Sequence, residues 1–145
     1  MHLALLVLIF AACAGETPET PPAAPPALIE AAAQSFAAGR ALQARGLFAQ
    51  AEQAYIQAID LAPTHPQYHY YLGVVLHAQN RFSEAQKHLE KALQLKPDYV
   101  GPRIALGKML YDVHGKSDAA RQLLVEAIDL EPNATQARYT LGMIH

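Results

Sequence analysis

The sequence predicts an all-α repeat fold built from antiparallel helix pairs. Gly39, Gly73, Gly107 and Gly142 recur at intervals of 34, 34 and 35 residues, and series of alanines and prolines keep the same period. Apolar residues between them recur at helical spacing, and no stretch alternates with the period of two that is typical of strands. The period therefore defines a unit of two helices that is stacked along the chain.

Length and charge limit the classes of function that the chain can have. Its 145 residues are enough for one domain with a single hydrophobic core. Eleven Lys and Arg stand against thirteen Asp and Glu, so the net charge is −2. Such a balance gives no support to nucleic-acid binding. The first 26 residues differ in composition from the rest and are interpreted separately.

The N-terminal segment predicts export. Leu3 to Ala14 is an unbroken run of twelve apolar residues. As a helix it would extend about 18 Å, which is too short for a hydrocarbon core of about 30 Å but suits a signal peptide, predicted over residues 1–15. Only His2 precedes the run where Lys or Arg is expected, so the signal is weak or its true start lies upstream of Met1.

Within this run, the residues from Phe10 to Gly15 resemble the lipobox of bacterial lipoproteins, although Leu usually holds the place of Phe10. The resemblance implies that Cys13 is the lipid attachment site and that the mature protein is anchored to a membrane in the bacterial periplasm. Cys13 is the only cysteine, so an intramolecular disulfide is excluded. The alternative is that Cys13 is a small residue in a discarded signal peptide.

A proline-rich linker is predicted over residues 16–26, and the repeat domain over residues 27–145. The linker holds half of the ten prolines, each of which disfavours a helix. Such a segment forms an extended spacer that reaches roughly 35 Å. It would hold the domain away from a membrane, or it is an inert linker.

Turns and helix ends are also predicted from the repeat. A polar turn at Asn80-Arg81 separates the two helices of the second unit, and the extra residue of the third unit is placed between Val113 and Lys116. Three polar residues are expected to cap the helices that follow them. They are Thr64, Asp98 and Asn133.

Small residues at fixed positions predict close packing within each helix pair. A glycine inside a helix costs about 1 kcal/mol relative to alanine, so its recurrence indicates that a side chain would clash with the partner helix. This argument applies to all four glycines of the series, including Gly142. The alanines of the second helix, such as Ala85, are expected to form the other side of the same contact.

These series resemble the tetratricopeptide repeat. The second unit carries Leu72-Gly73, Leu76, Ala85, Leu89, Ala92 and Pro97 at the family's positions. Three units are predicted over 32–65, 66–99 and 100–134, with a partial fourth over 135–145. The resemblance implies a right-handed superhelical solenoid whose first helices line a concave groove for peptides or partner proteins. Where the family prefers Trp or another aromatic, this chain has Ser35, His69, Arg103 and Arg138, a departure expected to loosen contacts between units.

The resemblance also implies which side chains face the groove. Positions 2, 5, 9 and 12 of each first helix share one face. In this chain that face is mostly apolar with flanking cations, which indicates a protein or peptide partner with apolar side chains. A family subtype that holds C-terminal carboxylates has Lys and Asn there, and the aromatics argue against it. The alternative is that the aromatics pack between helices. The predicted groove residues are Phe36, Arg40, Tyr70, Val74, His77, Ile104, Lys108, Tyr111 and Tyr139.

No catalytic residue, metal site, cofactor or small-molecule substrate is predicted. Nucleophile elbows, phosphate-binding glycine loops and zinc-type His-Glu pairs do not occur in the sequence. His65, His69 and His77 are spaced by four and eight residues, but Pro66 begins the helix after His65, so the three imidazoles are not expected to converge. His88 is interpreted as solvated, as is His114.

The function predicted from the sequence is a non-enzymatic scaffold or adaptor in a bacterial envelope. Two alternatives stay open. The chain could be the N-terminal fragment of a longer repeat protein or of a repeat-containing enzyme, because the fourth unit stops inside its first helix. It could also be a cytoplasmic co-chaperone whose N-terminal run is retained.

Overall fold

A computed structural model describes residues 23–144 of the chain, and within this range it contains seven α-helices and no strand. The all-α prediction is thereby confirmed. The signal peptide, Cys13 and most of the linker lie outside the described residues. Within residues 23–144, no helix has the length and apolar character needed to cross a membrane. The helices are α1 (Pro26–Ala44), α2 (Phe48–Leu61), α3 (Pro66–Ala78), α4 (Phe82–Leu95), α5 (Val100–His114), α6 (Ser117–Leu130) and α7 (Thr135–Met143).

The helices stack in chain order as antiparallel pairs. α1 packs on α2, α3 on α4 and α5 on α6, and each second helix also contacts the first helix of the next pair. α5 touches α3 and α7 as well, so these first helices form one continuous side of the stack. Each pair buries its apolar face only against its neighbours, as expected for a solenoid.

The recurring glycines allow the two helices of each pair to approach closely. A Cβ on Gly73 would lie 2.9 Å from Cγ of Leu89, and a Cβ on Gly39 would lie 2.6 Å from Cε1 of Tyr55. Both partners are almost fully buried, at 1% and 0% exposure. The packing predicted from the glycine period is therefore confirmed in these pairs, and Gly107 makes the corresponding approach in the third.

Gly142 is the exception, and the prediction for it was wrong. A Cβ on Gly142 would have no neighbour within 4 Å. The other glycines face the second helix of their own pair, and no second helix follows α7 within residues 23–144. Gly142 therefore lacks the close contact with a second helix that explains Gly39, Gly73 and Gly107.

The turns between paired helices share a residue with positive φ. Asn80 has φ 62°, and the matching positions in the other pairs are Gly46 at 74° and Gly115 at 61°. These are residues that tolerate the left-handed region at low cost. Gly115 directly follows the end of α5 and precedes Lys116, so the extra residue of the third unit lies in the predicted segment.

Helix starts differ from the predicted capping scheme. Thr64, Asp98 and Asn133 each stand one residue before the N-cap position, and no side chain caps any of the three helices that follow. The capping prediction was therefore wrong. Pro26, assigned to the linker, is the first residue of α1, a position where its missing N–H costs nothing. The N-cap residues of α3, α5 and α7 are His65, Tyr99 and Ala134.

Two of the polar residues that replace the family's aromatics fasten adjacent units. His69 Nε2 lies 2.9 Å from the carbonyl oxygen of Pro63, and Arg103 Nη1 donates to the carbonyl oxygen of Pro97 at 2.8 Å. In both cases the acceptor belongs to the proline that ends the preceding unit, six residues earlier. At these two positions, where looser contacts were expected, polar contacts therefore bridge adjacent units.

Candidate functional site

A pocket of about 280 Å³ opens between α3 and α5, with α7 at its edge. Its walls come mainly from first helices, on the side where these helices run continuously. The lining is mostly apolar, with one Lys, one His and one Gln among it. The lining residues are Tyr70, Gly73, Val74, His77, Leu89, Gly101, Ile104, Ala105, Lys108 and Gln136.

Five of the nine predicted groove residues line this pocket. Tyr70, Val74 and His77 occupy successive turns of α3, and all three are half-buried. Ile104 and Lys108 face them from α5, one turn apart. The helical spacing that grouped these residues in the sequence thus places them around one pocket.

The floor of the pocket depends on a glycine. Leu89 belongs to α4, the second helix of its pair, yet it lines a pocket formed by first helices. Gly73 lies directly over it, and a Cβ at Gly73 would touch the Leu89 side chain. Because Gly73 has no side chain, Leu89 can form the apolar floor. Sequence reasoning recognised both residues only as packing residues.

Two further lining residues could have been found from the repeat register, since Gly101 and Gln136 occupy position 2 of their units. A Cβ on Gly101 would lie 3.2 Å from Cζ of Tyr70, so the glycine leaves space for the tyrosine ring across the start of α5. Burial and the nearby Tyr71 hydroxyl raise the pKa of Tyr70 above its usual value, so this residue presents a neutral hydroxyl at the pocket.

The pocket has only modest charge. Lys108 forms an ion pair with Asp112 one turn further along α5, and both side chains are about 40% exposed (43% and 38%). The imidazole of His77 meets the ring of Phe82 edge-on, with centroids 5.3 Å apart. The site therefore has an apolar interior, and the lysine at its rim, Lys108, is already paired with Asp112.

Phe36 and Arg40 lie outside this pocket, against an aromatic cluster. The ring centroid of Phe36 lies 4.9 Å from that of Tyr68, 5.1 Å from that of Tyr71 and 5.6 Å from that of Tyr55. The guanidinium carbon of Arg40 lies 5.4 Å from the centroid of Tyr71. Phe36 thus packs between α1, α2 and α3, which is the alternative role that the sequence left open for the aromatics.

Tyr111 and Tyr139 also lie outside the pocket lining. The hydroxyl of Tyr111 donates to the carbonyl oxygen of Met143 at 3.4 Å, so it links α5 to the end of α7. Tyr139 is 69% exposed. These two residues extend the same side of the solenoid toward the C-terminal end.

The histidines do not form a metal centre in the described chain. His65 stacks on Tyr68 with centroids 4.1 Å apart, and His69 is buried against α4, away from His77. Between residues 23 and 144, no group of three His, Cys, Asp or Glu side chains could hold a metal ion. The interpretation of His88 as solvated was wrong, because its ring is half-buried against His69.

Residues 36–100 match the family model described as tetratricopeptide repeat. This match covers less than half of the chain. Together with the solved structures described below, it shows the tetratricopeptide repeat fold, which is generally a non-enzymatic protein-interaction module. A comparison with curated proteins finds no match.

Solved structures with this fold are similar over most of the chain. The first tetratricopeptide repeat domain of Spaghetti (RPAP3), bound to the HSP90 peptide SRMEEVD, aligns with a TM-score of 0.76 and 20% identity over 80% of this chain and 91% of that chain. The OM64 domain from Arabidopsis aligns at 0.77 and 19% over 81% and 96%. The Sgt2 domain from Aspergillus fumigatus aligns at 0.73 and 23% over 78% and 76%.

Proposed function

We propose that the domain binds a peptide, or a segment of a partner protein, whose apolar side chain enters the pocket between α3, α5 and α7. The observation that carries this proposal is the convergence of Tyr70, Val74 and Ile104 over the Leu89 floor. The volume of about 280 Å³ lies just below the range of roughly 300–1,000 Å³ typical of small-molecule sites. It suits one anchoring side chain of a longer segment better than a whole ligand.

The charge at the rim favours a segment that is apolar rather than strongly acidic. Lys108 is already paired with Asp112, so an anionic partner group would compete with this carboxylate. His77 and Gln136 supply hydrogen-bonding groups beside the apolar interior. A peptide with one large aliphatic or aromatic residue and polar neighbours fits this arrangement.

The Spaghetti domain supports a peptide as the class of partner, since it is bound to the peptide SRMEEVD. The family subtype that holds C-terminal carboxylates has Lys and Asn where this chain has residues such as Tyr70 and Val74. We therefore expect SRMEEVD to bind this chain much more weakly than an apolar peptide selected on it. Fluorescence anisotropy with labelled peptides compares the two.

A matched pair of variants tests the pocket. Gln136→Trp places a bulky ring at the pocket edge from an exposed position on α7, whereas Gln57→Trp places the same ring at an exposed position on α2, away from the pocket. Peptides are selected from a displayed random library on the wild-type chain and then measured on both variants.

We expect the selected peptides to be rich in apolar residues, to lose at least tenfold in affinity on Gln136→Trp and to bind Gln57→Trp as they bind the wild type. Circular dichroism and the urea midpoint verify that both variants fold. Equal binding to both variants would place recognition outside the pocket and overturn the proposal.

We further propose that the mature protein is exported and held at a bacterial membrane by lipid on Cys13, with the proline-rich linker as spacer. Support comes from the apolar run before Cys13, the lipobox resemblance and the absence of any other cysteine. Buried acyl methylenes contribute about 0.8 kcal/mol each, so two or more chains would anchor the domain stably.

Intact mass and cell fractionation test this anchoring in a bacterial host. We expect the wild-type mass to begin at Cys13 with added acyl chains, and the protein to be in the membrane fraction. Cys13→Ser should abolish acylation and that cleavage. A wild-type mass that begins at Met1, in the soluble fraction, would contradict both export and anchoring.

A further inference from the structure

Two histidine rings meet at the contact between α3 and α4. Nδ1 of His69 lies 3.3 Å from Nδ1 of His88, and the rings are nearly parallel, with an interplanar angle of 20°. His69 is only 6% exposed, and its Nε2 lies 2.9 Å from the carbonyl oxygen of Pro63 in the loop after α2. One buried ring thus connects the end of the first unit to both helices of the second.

The neighbours of His69 fix where its hydrogens lie. The carbonyl oxygen of Pro63 can only accept, so Nε2 of His69 must carry a hydrogen and donate it. In a neutral ring, Nδ1 of His69 is then an acceptor, and Nδ1 of His88 must donate to it. The result is a directed chain of hydrogen bonds from His88 through His69 to Pro63.

This series of hydrogen bonds limits the number of protons that His69 and His88 can hold together in the folded state. The two Nδ1 atoms share a single hydrogen, so the intact contact accepts at most one added proton, on Nε2 of His88. A second added proton would place hydrogens on both Nδ1 atoms, which lie only 3.3 Å apart. In an unfolded chain both rings can become imidazolium ions.

We propose that the His69–His88 contact stabilises the junction between the first and second units and opens in acid. Above the pH range in which histidine titrates, it ties the loop at Pro63 to α3 and α4. As the pH falls, the proton that the contact cannot accommodate favours its opening. Opening of the contact therefore destabilises the junction between the first and second units in acid.

Charged groups from three elements face His88, and they do not offset the burial that disfavours its charged form. Glu52 and Asp60 from α2, Arg81 from the turn and Glu84 from α4 line the same recess as His88. Arg81 holds both Glu52 and Glu84 in ion pairs, which reduces the attraction of these carboxylates for an imidazolium. Burial, followed by the neighbouring His69, lowers the pKa of His88 below its usual value.

The direction of the pH effect follows from proton linkage. Because the unfolded chain binds more protons than the folded pair, stability is retained above a pH of about 6.5 and lost as the pH falls below it. Each proton taken up in excess raises the unfolding equilibrium constant by up to about tenfold per pH unit. Burial also lowers the pKa of His65, which adds to the loss in the same direction.

A single variant separates the pH effect of the His69–His88 contact from that of the other histidines, such as His65. His88→Gln retains a partner for His69, because the side-chain amide can donate to Nδ1 at high pH or accept from it at low pH. Urea unfolding is measured on the full chain from about pH 8 to pH 5, where histidine titrates. His114→Gln, at an exposed position at the end of α5, is the matched control.

We expect His88→Gln to reduce the pH dependence of the unfolding constant by close to one proton, and His114→Gln to retain the wild-type dependence. In acid, the wild-type amides of residues 62–69 should lose hydrogen-exchange protection relative to those of α6. An unchanged pH dependence in His88→Gln would overturn the proposal.

NMR tests the same contact without a substitution, should the variant fail to fold. Long-range ¹H–¹⁵N spectra at high pH should show the Nε2–H tautomer of His69 and the Nδ1–H tautomer of His88. On acidification, the fixed Nε2–H tautomer of His69 should be lost as the contact opens. Rings that exchange freely between tautomers at high pH would also overturn the proposal.

Discussion

Nη1 of Arg81 lies 2.6 Å from Oε1 of Glu52, and this ion pair joins the first helix pair to the second. Only 10% of the Glu52 side chain is exposed, and its other oxygen accepts a hydrogen bond from Nε2 of Gln79 at 2.9 Å. Arg81 also holds Glu84 in a bidentate pair through Nε and Nη2. The turn between α3 and α4 is thereby fastened to α2 of the preceding unit.

Glu52→Gln should lower the urea midpoint more than Glu84→Gln. Loss of the Glu52 charge leaves Arg81 without its partner in the first unit, whereas Glu84 is half-exposed and bonds to Arg81 only within its own unit. The difference should persist at about 0.5 M NaCl, because buried pairs are screened less than exposed ones. Equal effects of the two variants would show that the inter-unit pair contributes no more to stability than the pair within the second unit.

Gly73→Ala and Gly142→Ala should change stability in opposite directions. A methyl at Gly73 meets Cγ of Leu89 at 2.9 Å and the carbonyl oxygen of Ala85 at 3.2 Å, so we expect a loss of about 1–3 kcal/mol. A methyl at Gly142 meets nothing within 4 Å, and the higher helix propensity of alanine should add up to about 1 kcal/mol. Thermal unfolding measures both, and a loss at Gly142 would indicate an unseen contact there.

The helix pairs could be predicted from the sequence because their signal is repeated. Gly73 by itself would predict little, but glycine and alanine series with one shared insertion report a single packing geometry. The N-caps could not be predicted in this way. Thr64, Asp98 and Asn133 are chemically able to cap, but each lies one residue too early, and such a shift depends on loop geometry rather than on residue type.

The candidate site was predictable as a helix face but not as a pocket. Helical spacing placed Tyr70 and Ile104 on one predicted face, and both line the pocket because first helices of consecutive units are adjacent. The same spacing could not show that Phe36 packs against aromatic rings from α2 and α3. Nor could it show that Leu89 reaches the pocket through the space left by Gly73, because that depends on the distance between helices.

Phe36→Ala should destabilise the fold, whereas Tyr139→Ala should not. Phe36 contacts three tyrosine rings, so its truncation leaves a cavity that costs about 3 kcal/mol. Tyr139 is 69% exposed, and its truncation should change stability by less than about 0.5 kcal/mol. Urea unfolding followed by circular dichroism compares the two variants. Equal small effects would contradict a packing role for Phe36 and favour the role of a groove residue that was predicted from the sequence.

Alkaline titration should detect Tyr55 as a late-ionising group. Burial, with a contribution from Tyr71, raises the pKa of Tyr55 to about 12, and its hydroxyl donates to Oε1 of Gln43 at 2.6 Å. The unfolded chain loses this proton near pH 10, so stability is intact below that pH and falls as the pH rises toward 12. Burial also raises the pKa of Tyr99 to about 12, so tyrosinate absorbance should show a late step that Tyr55→Phe reduces but does not remove. A late step of unchanged amplitude in the variant would assign it to other tyrosines.

Arg103→Met should weaken the junction between the second and third units, and Arg138→Met should not. Arg103 is 14% exposed in its side chain, donates to the carbonyl oxygen of Pro97 and has its Nε 3.2 Å from Oε2 of Glu126. Met retains much of the aliphatic packing but neither polar contact, so we expect a loss of about 1–2 kcal/mol. Arg138 occupies the same position of the fourth unit but is exposed. If the two variants unfold at the same urea concentration, the polar residues that replace the family's aromatics do not stabilise the stacking of units.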